Sequence, residues 1–74
     1  MRFYFDVRDG APVRDRIGRE FKLASEAIEF SKTYALTLRG PNTRRDLRVS
    51  VLNEHGDRIH EEPVYDQAAP NNTR

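Results

Sequence analysis

The chain has no cysteine and no tryptophan among its 74 residues, and only two of its 13 basic side chains, Lys22 and Lys32, are lysines. Without cysteine no disulfide can brace a core this small, so folding must rest on packing, within one chain or across a subunit interface. The same absence suits a reducing compartment and removes thiolate metal ligands. No apolar run approaches the roughly 20 residues that a membrane span needs. The opening MRFYFDVRDG lacks the apolar stretch of a secretory signal. The expectation is therefore a soluble, cytoplasmic protein of one domain. A net charge of +1 argues against strong generic attraction to nucleic acid.

What is present is a clear alternation of strand and helix patterns. In residues 2 to 8, Phe3, Phe5 and Val7 point one way and Arg2, Tyr4, Asp6 and Arg8 the other, the period of a half-buried strand. Asp9-Gly10 is a hairpin turn signal, and Pro12 assigns the short strand that follows, at about residues 11 to 14, to a sheet edge. Asp15 to Gly18 reads as another turn, after which residues 19 to 21 can resume extended structure. LASEAIEFSKTYALTL places Leu23, Ala24, Ala27, Ile28, Phe30, Ser31, Tyr34, Ala35 and Leu38 on one helical face. Ser25 is its best side-chain N-cap and Gly40-Pro41 its stop. Leu36 falls on the polar side of that helix. DLRVSVL, residues 46 to 52, alternates again with Leu47, Val49 and Val51 inward. NEHG is a hairpin loop, and a weaker strand follows at about residues 57 to 62, anchored by Ile59.

These elements predict an α+β fold, ββαββ, with a four-stranded antiparallel sheet in the order 2-1-3-4 and one helix packed on one face. The two most apolar strands sit in the centre, and Ile59 joins Phe3, Phe5, Val7, Ile28, Tyr34, Leu38, Leu47, Val49 and Val51 in the core. The open face carries Arg2, Tyr4, Arg8, Arg14, Arg48, Ser50, Leu52 and His60. Residues 1–65 form the single domain. Residues 66–74, DQAAPNNTR, are polar and read as a flexible tail.

The aromatic opening FYFDVRDG, then DRIG followed by Glu20, then a helix, then VSVLNEHG, resembles a family of small alphaproteobacterial proteins known only as a domain of unknown function. The resemblance runs over about residues 2 to 60. It implies the same fold, and it supplies no catalytic residues to carry over.

Four chemistries can be weighed from the residues. Asp6, Asp9 and Asp15 lack the alternate spacing and terminal glutamate of a calcium loop, so they read as strand and turn residues. His55 and His60, with only Glu54, Glu61 and Glu62 nearby, fall short of a zinc site, and no metal or other cofactor is expected. Ser25, Ser31 and Ser50 stand in no nucleophile elbow, and GPNTRR is no phosphate loop, so the chain is read as non-enzymatic. The basic stretch LRGPNTRRDLR is the one polar feature that suggests a ligand. Arg39, Arg44, Arg45 and Arg48, with Tyr4 and Arg8 on the sheet, could contact single-stranded RNA or another anion. The leading expectation is instead a protein-interaction module, a homodimer or a complex with another protein. It would use the open sheet face or an edge strand, and Tyr4, Leu52, Leu36, Phe21 and Tyr65 lack a clear role in the core.

Overall fold

The computed structural model describes residues 1–65, so the expected tail at 66–74 lies outside the described residues. The elements are β1 (Arg2–Asp9), β2 (Ala11–Val13), β3 (Arg19–Glu20), α1 (Ala24–Thr37), β4 (Arg48–Leu52) and β5 (Arg58–Pro63). The fold is α+β, one helix with an antiparallel sheet. Four strands run in the order β2-β1-β4-β5, and a fifth, β3, also pairs with β1. The expected four-stranded sheet is thus corrected to five. Arg19–Glu20 does resume extended structure, opposite Phe3 and Arg2.

The extra strand changes how the β1 edge is built. β2 pairs with its far end, Val7 opposite Val13, and β3 with its near end, Phe3 opposite Arg19. Between them the returning chain holds two more residues than β1 does, so the segment from Arg14 to Gly18 bulges outward. A bulge leaves backbone donors without ladder partners, and here a side chain takes their place. The Asp15 carboxylate accepts the Phe5 N–H at 3.1 Å, and the Asp6 carboxylate accepts the Asp15 N–H at 2.9 Å. Gly18 returns the chain to the ladder with φ +74, and a Cβ there would stand 2.8 Å from the Phe3 carbonyl oxygen. Only glycine meets both demands.

The core is Phe3, Phe5, Ala27, Ala35, Leu47, Val49, Val51 and Val64, with Ser31 buried beside them. Small residues at 27, 31 and 35 lie one helical turn apart, and they let α1 approach the sheet closely over β4 and β5. Ile59 does not join them. A register irregularity opposite Val51 and Leu52 leaves it 37% exposed, whereas Val64, just past the other end of β5 and beside Leu47, is buried. The same register puts His60 opposite Val51 and so on the helix side, not on the open face. Ser25 is not the cap. The helix starts from Leu23, and the Glu26 carboxylate accepts the Lys22 and Leu23 N–H groups, both at 3.1 Å. Leu23 and Ala24 are consequently exposed, as is Leu36 at 59%.

Candidate functional site

The arginines of LRGPNTRRDLR are divided among partners, Arg39 and Arg45 at Tyr65, Arg44 at Asp46 and Arg48 at Glu61. Helix α1 ends before Arg39, whose Nε donates to the Val64 carbonyl at 2.8 Å rather than lying in the last helical turn. Its guanidinium lies 5.6 Å from the centre of the Tyr65 ring, and that of Arg45 lies 4.8 Å from it. Arg44 grips Asp46 through two 3.0 Å bonds. This contact, ahead of the nearby charges, holds the Asp46 carboxyl below its ordinary value. Arg48 reaches Glu61 at 3.1 Å on the open face, where Arg58 and the Ser50 hydroxyl meet the same carboxylate.

Tyr65 is the centre of this arrangement. Its hydroxyl donates to the Gly40 carbonyl at 2.9 Å and accepts the Gly40 N–H at 3.1 Å, tying the chain after β5 to the end of α1. The Gly40 amide lowers the phenol's pKa. Partial burial opposes that shift, and the Thr43 hydroxyl and the two arginines reinforce it. Phe21 is likewise occupied in packing, its ring 5.7 Å from Phe30 and 6.2 Å from both Phe3 and Phe5. Of the five residues proposed for a protein interface, only Tyr4 and Leu52 come together, as cross-strand partners. Leu36 is on the outer side of the helix, and Phe21 and Tyr65 pack against the core.

Tyr4 and Leu52 line a depression of about 380 Å³ on the open sheet face with Asp6, Arg14, Asp15, Glu54 and the 53–56 loop. Three carboxylates around one tyrosine make a poor seat for a phosphate. Asp15 stays ionised. Burial pushes its carboxyl up, but N–H bonds from Gly18, Ile17 and Phe5, with Arg2 nearby, bring it below the ordinary range. Arg8 is exposed at the far end of β1, opposite Arg48. The two histidines do not converge. His55 is in the β4–β5 loop, and His60 pairs with Glu62 at 2.8 Å. Among the described residues no three His, Asp or Glu side chains are grouped as metal ligands. No helix among them is long and apolar enough to cross a membrane.

A second concavity was not legible in the sequence. Because α1 lies over β4 and β5, its Phe30–Tyr34 flank overhangs β1 and β2, meeting β1 at Phe5 and leaving a gap toward Val7 and Val13. The result is a groove of about 390 Å³ lined by Phe5, Val7, Val13, Phe30 and Tyr34, with Arg14, Asp15, Gly18 and Arg19 along the bulge. Val7, Phe30 and Tyr34 carry the pattern of core residues, and the structure leaves them half-buried. The available signal was the stripe of small residues at 27, 31 and 35, which marks where the helix rests and hence what it leaves uncovered.

No curated protein and no solved structure matches the chain significantly. One family model does match, over residues 2–65. It covers every strand, the bulge with its two aspartates, the helix and the Tyr65 latch, and the chain therefore belongs to the family described as a domain of unknown function, DUF6894.

Proposed function

We propose that the protein is a small non-catalytic interaction module whose partner is a second copy of itself, joined through the free edge of β5. The observation that carries this reading is the contrast between the two sheet edges. At one edge β2 is three residues long, contains Pro12 and gives way to the bulge, all devices that block strand addition. At the other, β5 spans Arg58–Pro63, is longer, pairs with β4 on one side only, has its proline at the last position, and is interrupted only by the register irregularity at Ile59. Its sequence is self-complementary in antiparallel pairing. With the two-fold axis between Ile59 and His60, Arg58 of each copy, 3.6 Å from Glu61 of its own chain, also faces Glu61 of the other, and Ile59 faces His60. Opposite charges across strands contribute roughly 0.2–1 kcal/mol each, in addition to the backbone bonds.

The open face is a weaker place for self-association, since Arg48, Glu61 and Arg58 already form a network there and Arg8 stands beside Arg48. The alternative, RNA binding through Arg39, Arg44, Arg45, Arg48, Tyr4 and Arg8, draws no support from guanidiniums engaged with Val64, Tyr65, Asp46 and Glu61. Sedimentation at several concentrations is the test. The expected mass rises toward twice the monomer in the micromolar range, and Ile59→Pro abolishes the rise. A monomer at high micromolar concentration overturns the reading.

A further inference from the structure

The groove under the flank of α1 is built differently from the rest of the surface. Its walls are aromatic and aliphatic. Phe30 packs edge-on against Phe5 with ring centres 4.9 Å apart, and Tyr34 stacks on Phe30 at 6.0 Å and 13°. Val7 and Val13 are cross-strand partners on the same face, and Val13 is 65% exposed. A volume of about 390 Å³ is at the small end of the roughly 300–1,000 Å³ of binding pockets. Phe30 and Tyr34 are one helical turn apart, about 6 Å along the axis, which suits one or two side chains of an extended segment.

At the bulge end two cations stand against one carboxylate. Arg14 and Arg19 both line the groove, and neither is in an ion pair among the described residues. The Arg19 guanidinium lies 4.6 Å from the centre of the Phe30 ring, a position that holds it over the groove wall. The one carboxylate there, Asp15, is turned inward. Its oxygens accept N–H groups from Phe5 at 3.1 Å, Ile17 at 3.0 Å and Gly18 at 3.1 Å. Its hydrogen bonds thus go to backbone donors rather than to the two arginines.

We infer that this groove is a second binding site, distinct from the β5 edge, and that it receives a protein segment carrying a branched or aromatic side chain next to a carboxylate. The apolar side chain lies between Val7, Val13, Phe30 and Tyr34, and the carboxylate meets Arg14 and Arg19. Such charge-assisted bonds are short and directional, and arginine forms them in pairs.

The test is an NMR titration of the full chain with acetyl-Glu-Leu-Leu-Glu-amide, against its all-glutamine counterpart and against hexanoate. The acidic peptide is expected to shift the amides of Val7, Val13, Gly18, Phe30 and Tyr34 at millimolar concentration. Replacing its glutamates by glutamine, or making Arg14→Gln or Arg19→Gln, should weaken it roughly three- to tenfold. Arg16→Gln, an exposed arginine that does not line the groove, should change nothing. The proposal is overturned if those amides do not move, if the acidic and neutral peptides bind alike, or if Arg16→Gln weakens binding as much as the other two, which would mean generic charge attraction. Hexanoate binding as well as the peptide would also overturn it, in favour of a small-acid site. Running the titration on Ile59→Pro separates this site from the proposed dimer, because the groove shares no residue with β5.

Discussion

Asp15 shows how much one side chain can do in a chain of this size. Its carboxylate satisfies three backbone donors that the bulge removes from the ladder, at Phe5, Ile17 and Gly18. Asp15→Ala should destabilise the protein by about 2 to 3 kcal/mol at neutral pH, the cost of leaving such donors without a charged acceptor. The effect has a defined pH dependence. The folded-state pKa of Asp15 is depressed, so its contribution is complete above the unfolded-state pKa and is lost as pH falls through the folded-state value. Urea unfolding of wild type and variant should thus show a gap that is constant near neutrality and narrows in strong acid. A gap that persists unchanged into strong acid would mean that the carboxylate's charge is not what matters. Gly18 completes the same unit, since its positive φ and the Phe3 carbonyl beside it leave no room for a side chain.

At the scale of elements, α1 is held by contacts that differ from its propensity pattern. The first turn has no Ser, Thr, Asp or Asn cap. Glu26 accepts two N–H groups from Lys22 and Leu23 in its place. Glu26→Ala should cost about 1 kcal/mol, the usual worth of an N-terminal cap. Ser25→Ala, at the cap that the sequence suggested and two positions past the observed one, should be nearly silent. Equal losses in denaturant midpoints for the two would contradict this assignment. At the other end the helix is stopped as Gly40-Pro41 suggests, but the latch comes from far along the chain, through the Tyr65 hydroxyl on Gly40 and Arg39 on Val64. The flank of the same helix forms the wall of the groove because the small stripe, not the aromatic one, faces the sheet most closely.

For the molecule as a whole, closure depends on residues after the last strand. Val64 is 1% exposed, its N–H donates to the Leu47 carbonyl at 3.0 Å, and Tyr65 follows it onto the end of α1. These contacts join the two ends of the β4–β5 hairpin to the helix. Val64→Ala should therefore destabilise the whole domain by about 2 to 3 kcal/mol, a large share of the margin available to so short a chain. Circular dichroism should show a single cooperative transition shifted to lower temperature. Loss of the helix signal with the sheet left intact would show instead that the domain is not one cooperative unit.

Local chemistry alone determined much of this protein. Alternation in FYFDV and RVSVL specified two central strands, Pro12 specified an edge, and the helical spacing of apolar residues from Ala27 to Leu38 specified a helix, because each signal is a period or a backbone constraint that neighbours cannot easily override. Tertiary structure decided what depends on distance along the chain. A two-residue excess opposite β1 turned Asp15 from a turn residue into a ladder substitute. A slip in register exposed Ile59 and turned His60 toward the helix, while Val64, past the other end of β5, joined the core. The arginines of one basic stretch were dispersed to Tyr65, Val64, Asp46 and Glu61, and the groove arose only from where the helix came to rest. None of these follows from a period, since each is settled by which remote residues the folded backbone brings together, at about 3 Å for the polar contacts.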